Sequence, residues 1–128
     1  MVINNYLSII TLNVNGLNAP IKRHRIAEWM RKHDPHICCL QETHLRTKDL
    51  HRLKVKGWKQ IFQGNGQGKK AGVAILISDK IDFLRRAIKS DPEAHFIILK
   101  RRIHQEDINI VNIYAPKYIK YWRLQERY

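Results

Sequence analysis

The sequence predicts an α/β fold, a mixed β-sheet that starts with a strand–helix–strand unit. Three observations predict it. Residues 7–14, Leu-Ser-Ile-Ile-Thr-Leu-Asn-Val, are rich in β-formers and close on the turn pair Asn15-Gly16. Ile26, Trp29, Met30 and His33 then fall at i, i+3, i+4 and i+7, one face of a helix. Residues 36–40 are a short, mostly apolar run of the kind that a sheet buries on both faces.

The remaining elements follow in order. Asn18 is placed to cap the helix, and Pro20 falls in its first turn, where a missing N–H is tolerated. Lys22, Arg23, Arg25 and Arg31 lie mostly off the apolar face. Asp34-Pro35 should end the helix, because a residue before proline is pushed out of the helical region. The two flanking strands are expected to be parallel, joined by a right-handed crossover. A basic loop is expected over residues 43–56. Strands are expected at 58–63, 71–78, 95–101 and 108–114, with Gly64-Asn65-Gly66-Gln67-Gly68 as a hairpin turn between the first two. Together these pieces read as one α/β layer with at least one helix on a face. No repeat, low-complexity segment or linker interrupts the 128 residues.

Composition limits the function classes. With 44% hydrophobic and 27% charged residues, the chain can build a core and is no disordered tail. It carries 24 Lys+Arg against 11 Asp+Glu, a formal net charge of +13. A domain this basic repels itself unless something anionic is near, and the usual partner is a phosphate backbone. An anionic membrane surface and a merely solvated basic face are the other readings. The basic residues are spread over 22–25, 46–59, 69–70, 100–102 and 117–127, which suits backbone contact more than base reading. Cys38 and Cys39 are adjacent, so on a strand they point to opposite faces and form no disulfide framework. That fits a reducing compartment, nuclear or cytoplasmic. A zinc site recruiting His33, His36 or His44 is opposed by the same geometry and by the lack of a second cysteine pair. The start of the chain shows no secretory pattern, and the apolar runs at 73–77 and 96–99 are too short to span a bilayer.

Three polar residues end or follow apolar strands: Asn13, Glu42 and Tyr114. In open α/β sheets, ligands bind at that carboxyl edge. Glu42 is the sharpest case, since a carboxylate buried within the preceding apolar run would be costly. At the edge, a lone carboxylate suits a hard divalent cation such as magnesium, which keeps most of its waters. The plainer readings are a loop carboxylate paired with a lysine or arginine for Glu42, a strand-closing residue for Asn13, and a core or corner tyrosine for Tyr114.

Thr-Leu-Asn-Val-Asn-Gly-Leu at 11–17, Gln-Glu-Thr-His at 41–44 and Val-Asn-Ile-Tyr-Ala-Pro at 111–116 stand in the order and rough spacing of the endonuclease/exonuclease/phosphatase superfamily. The chain resembles that superfamily. Lys22-Arg23-His24-Arg25, Lys56-Gly57-Trp58 and Lys69-Lys70-Ala71-Gly72-Val73-Ala74-Ile75-Leu76 narrow the resemblance to the exonuclease III-like endonuclease of LINE retrotransposons. It implies that residues 1–116 are the N-terminal part of such a domain, the first half of a four-layer α/β/β/α sandwich, with 117–128 a divergent, truncated tail. It implies Mg2+ as cofactor, DNA as partner and hydrolysis of a phosphodiester that nicks a target for retrotransposition. Glu42 then corresponds to the metal-ligand glutamate, Asn13 to the asparagine that organises metal and phosphate, and Tyr114 to the tyrosine beside the scissile phosphate. Lys22, Arg23, Arg25, Lys69 and Lys70, which lie in the matched blocks, are expected to meet nucleic acid.

The departures carry an expectation too. The family takes an aspartate and an asparagine from a later Gly-Asp-Phe-Asn-like run, and a histidine from a Ser-Asp-His-like run. Neither run occurs in this sequence, and Ser78-Asp79-Lys80 comes too early and lacks the histidine. The chain alone is therefore expected to be inactive. An active endonuclease, a non-catalytic basic DNA-binding remnant and a decoy interaction module are the rival readings. Absence of the second half is expected to leave an apolar sheet face or edge exposed to self-association, with Tyr118, Tyr121, Trp122 and Tyr128 of the tail packing over a bare face.

Overall fold

β1 (Ile9–Asn13) and β2 (Ile37–Gln41) pair in parallel, with Ile9 opposite Ile37 and Asn13 opposite Gln41. The computed structural model describes residues 7–64, 72–81, 83–90, 96–103 and 106–113. The connection between the first two strands is α1 (Pro20–His33), as the apolar spacing predicts. Proline at the first helical position leaves one fewer N–H without a partner. The cap differs from expectation: Ala19, not Asn18, is the N-cap, and no side chain caps the helix. Asn18 Nδ2 instead donates to the His44 carbonyl at 3.0 Å. At the other end Asp34 takes the left-handed conformation and its N–H returns to the Met30 carbonyl, which closes the helix before Pro35.

The buried face of α1 centres on Ala27 and Met30, flanked by half-buried Ile26 and Trp29. His33, expected on that face, is exposed and stacks on Trp29 with ring centroids 4.2 Å apart. The expected basic loop holds a 3-10 segment, Thr47–Arg52, which periodicity does not reveal. It leads into β3 (Gln60–Gly64), which pairs antiparallel with β4 (Val73–Ile77); the turn expected between them lies outside the described residues. β4 also pairs antiparallel with β2, so the sheet order is β1-β2-β4-β3. All five residues of β4 are buried, as a central strand covered on both faces requires.

The later strands correct the single-layer reading. β5 (Phe83–Ser90), β6 (Phe96–Ile103) and β7 (Glu106–Ile113) form a separate antiparallel sheet. β5 was not among the expected strands. It carries an irregularity between Arg85 and Ala87, which breaks the period-two pattern by which a strand is recognised. The second sheet packs on the first, with β7 against β2 and β4 and β6 against β4 and β3. Two cores result. Met30, Leu17, Cys38, Leu40, Leu76 and Trp58 fill the space under the helix, where the Trp58 indole donates to the Pro35 carbonyl at 3.0 Å. Ile37, Cys39, Val73, Ile75, Ile77, Ile97, Leu99 and Ile110 fill the space between the sheets.

The face expected to be bare is thus covered over β2 and β4. On the same face of β1, Ile9, Thr11 and Asn13 stay exposed, Ile9 by 52%. Val111 and Ile113 on the outward face of β7 are also exposed. No helix among the described residues is long and apolar enough to cross a membrane.

Candidate active-site edge

The carboxyl ends of β1 and β2 carry the first two expected site residues side by side. Asn13 is the register partner of Gln41, and Glu42 follows directly. Beyond the strands the two loops continue to bond. The Val14 N–H donates to the Gln41 carbonyl at 3.0 Å, Gly16 to Glu42 at 2.7 Å and Leu17 to Thr43 at 2.8 Å. The Thr43 N–H donates to the Gly72 carbonyl at 3.1 Å, which ties the loop to the start of β4. The Asn13 side chain is exposed, and its Oδ1 accepts the Asn15 N–H at 3.2 Å, a local turn that aims the amide along the edge.

Glu42 and His44 both have φ of 56°, a left-handed conformation that histidine adopts more readily than glutamate. Glu42 Oε1 lies 3.7 Å from His44 Nε2, and both side chains are largely but not fully buried. That Nε2 is enclosed and has no hydrogen-bond partner, while Gly16 backs the other side of the imidazole. Two glycines make this loop possible. A Cβ on Gly16 would stand 3.1 Å from His44 Nδ1; a Cβ on Gly72 would stand 2.3 Å from Thr43 Oγ1. Both have positive φ.

Two of the basic residues expected at nucleic acid bond to the backbone of the loop that follows β1. Lys22 Nζ donates to the carbonyls of Val14 and Asn15, both at 2.7 Å. Arg23 donates to those of Leu17 and Asn18, both at 2.8 Å. From the start of α1 they fasten the loop that follows Asn13 to the helix. Arg25 is exposed on the helix. Tyr114, Lys69 and Lys70 lie outside the described residues, as does the tail with Tyr118, Tyr121, Trp122 and Tyr128.

Nothing in the sequence pattern singled out Asn112, yet it joins the two sheets beneath this edge. It is 2% exposed; its Nδ2 donates to the carbonyls of Leu40 (3.0 Å) and Ala74 (2.8 Å), and its Oδ1 accepts from Gln41 Nε2 at 2.5 Å. The only available signal was a polar residue at an inward position of an alternating strand, two residues before Tyr114. The zinc alternative finds no support in the placement of its members. Cys38 and Cys39 lie in different cores, His36 Nδ1 bonds to Ser8, and His33 Nδ1 bonds to the Trp29 carbonyl. Among the described residues, no group of three or more His, Cys, Asp or Glu is placed to hold a metal ion. A carboxylate and an amide oxygen at one sheet edge are hard donors, and they fit a largely hydrated magnesium ion better than a dehydrated one.

The comparisons with known proteins agree with this geometry. The endonuclease/exonuclease/phosphatase family profile matches residues 10–127. The chain is 30% identical over 111 residues, 86% of its own length, to the Transposon TX1 uncharacterized 149 kDa protein of Xenopus laevis, of which it spans 8%. It is 28% identical over 116 residues to a DNA-(apurinic or apyrimidinic site) endonuclease of Dictyostelium discoideum, of which it spans 31%. Among solved structures, D. rerio TDP2 complexed with a single-strand DNA product superposes with a TM-score of 0.69 at 19% identity, over 97% of this chain and 54% of that one. The endonuclease domain of TRAS1, a telomere-specific non-LTR retrotransposon, superposes with a TM-score of 0.63 at 16% identity, over 95% of this chain and 51% of that one. The chain therefore spans about half of these solved structures and less of the curated relatives, and with the family profile matching residues 10–127 it belongs to the endonuclease/exonuclease/phosphatase family.

Proposed function

We propose that this chain carries the metal-holding half of a magnesium-dependent DNA endonuclease site of the retrotransposon type, and that its 128 residues do not cut DNA by themselves. The observation that carries the reading is Glu42, held in a left-handed conformation at the carboxyl end of β2 beside Asn13 at the end of β1. In this reading Glu42 binds the cation and Asn13 turns its amide toward cation and phosphate. By the family resemblance Tyr114 would contact the scissile phosphate. The net charge of +13 draws the DNA backbone to that edge. A cation bound there would stabilise negative charge on the phosphoryl and leaving oxygens.

The relatives' names support DNA as substrate: one is a DNA endonuclease, one a transposon protein, one a structure with a DNA product. The lack of the Gly-Asp-Phe-Asn-like and Ser-Asp-His-like runs supports inactivity of these residues alone. Groups that act as a unit are strongly non-additive, so a site without its water-aligning and phosphate-donating members keeps little beyond binding. Two free, buried thiols suit the reducing nucleus or cytoplasm.

Supercoiled-plasmid nicking by the purified chain, with magnesium and with chelator, tests the reading together with calorimetric magnesium titration. The expected results are no magnesium-dependent nicking and weak magnesium binding that Glu42→Gln abolishes. Nicking that Glu42→Ala removes would show that the 128 residues suffice. Magnesium binding indifferent to Glu42→Gln would remove Glu42 from the site.

A further inference from the structure

We propose that a cleft beside the Glu42 loop is a subsite for a DNA backbone phosphate flanking the scissile one; this rests on the DNA-endonuclease reading and deepens it. The cleft measures about 350 Å³ and is lined by Asn18, Arg46, Lys48, Asp49 and Arg52. Three cations therefore face one carboxylate. Asp49 is engaged with Arg52 at 3.2 Å, and Arg46 and Lys48 form no ion pair among the described residues. A concave surface with an excess of one charge focuses the field and gathers ions of opposite sign. Arginine adds the planar fork that matches phosphate oxygens two at a time.

The backbone explains why the charges converge. The 3-10 segment Thr47–Arg52 repeats every three residues, so Asp49 and Arg52 lie one above the other. The Asp49 N–H donates to the Arg46 carbonyl at 2.8 Å, which holds Arg46 at the mouth of the same turn. Asn18 forms the wall toward the active-site edge: its amide is fixed on the carbonyl of His44, two residues from Glu42. The cleft thus opens off the loop that carries the metal-ligand candidate. A polyanion bound at that edge passes it. In the sequence these residues belong to a broad basic stretch; the fold makes four of them and Asn18 into one concave site.

Binding of a short fluorescent DNA duplex to the full chain, measured across a salt series, tests the subsite. Removing one charge that neutralises a phosphate lowers the slope of log affinity against log salt by about 0.9. The double variant Arg46→Ala/Lys48→Ala, which strips this one-phosphate subsite of its two unpaired cations, should therefore lower it by about 0.9. Arg31→Ala/Lys32→Ala serves as the control, since those residues sit in the last turn of α1, at the opposite end of the sheet from the Glu42 edge. It should leave the slope within error. Asp49→Asn releases Arg52 and removes the one anion, so it should tighten binding severalfold, a gain that no unfolded variant can mimic. Equal reductions in the two double variants, or an Asp49→Asn without gain, would overturn the subsite. Abolition of the cleft's effect by inorganic phosphate at constant ionic strength would overturn it in favour of a free-phosphate site. Magnesium titration separates this from the function reading: magnesium binding through Glu42 together with a silent cleft would sink the subsite alone.

Discussion

Among the described residues, four that are not glycine, Asn15, Asp34, Glu42 and His44, have φ between 48° and 56°. For Asn15 in a turn and Asp34 at a helix end the left-handed region is ordinary, because short polar side chains bond to the nearby backbone. His44 is of a type that visits the region more often than most, whereas Glu42 has neither a short polar side chain nor such a preference. Glu42 holds a conformation that costs roughly 1–3 kcal/mol and that clusters at functional loops. The loop is kept there from outside, by the Gly16 and Leu17 N–H groups on one side and the Gly72 carbonyl on the other. Glu42→Asn separates the two roles of the residue. Asparagine tolerates the left-handed region but supplies no charge, so the thermal midpoint should equal or exceed the native value. A fall in that midpoint would mean that the carboxylate itself holds the loop. At the same scale, Lys22 and Arg23 combine charge with a backbone role: four carbonyls of residues 14–18 accept from them.

The start of β4 is where one element decides the shape of another. Gly72 has φ of +119°, and a methyl group there would meet Thr43 Oγ1 at 2.3 Å and the His44 N at 3.2 Å. Gly72→Ala should cost about 1–3 kcal/mol, from a disallowed φ plus displacement of Thr43, and it should shift the Glu42 loop. Chemical denaturation and the chemical shift of the Glu42 amide check both parts; a variant as stable as the parent with an unmoved Glu42 would show that the loop does not lean on β4. Elements were legible in the sequence wherever one period ran without interruption. β1, α1, β2 and β4 read directly from apolar spacing, and the parallel pairing of β1 with β2 from the helical crossover between them. β5 did not, because Arg85 and Arg86 and the irregularity before Ala87 reset its alternation. The cap at Asn18 misled for a physical reason: the same amide that suits a helix N-terminus suits a neighbouring carbonyl, and His44 is near only in the fold. Asn112 was illegible on similar grounds, since its partners Leu40, Gln41 and Ala74 are remote in sequence. Glu42 and Asn13 were legible because strand ends are, and the fold brings them together as register predicts.

At the scale of the molecule, two interfaces hold three layers: helix on sheet, and sheet on sheet. The chain's two cysteines sit one in each, Cys38 under the helix and Cys39 between the sheets, because adjacent strand residues face opposite ways. Burial pushes the Cys38 thiol up to about 12, aided by Cys39, and the Cys39 thiol up to about 11. The folded state therefore keeps protons that the unfolded chain releases near pH 9. This contribution is complete below that value and is lost as pH rises toward 11 and 12. Stability should fall across that alkaline window, and the fall should be shallower in a Cys38→Ala/Cys39→Ala variant. Denaturation midpoints from neutral to alkaline pH decide it; parallel curves for the two proteins would show that other groups set the alkaline limit.

The same pair of thiols also turns the molecule into its own stopwatch. A thiol-modifying reagent at neutral pH can reach Cys38 only when the helix lifts from the sheet, and Cys39 only when the two sheets part. With single-cysteine variants, each labelling rate is the opening frequency of one seam, read without any introduced probe. If the seams part together, the two rates coincide and the three layers breathe as one unit. If the Cys39 rate is the faster, the sheet pair is the looser joint, and it is there, next to the exposed Ile9 flank of β1, that the fold is readiest to admit another strand.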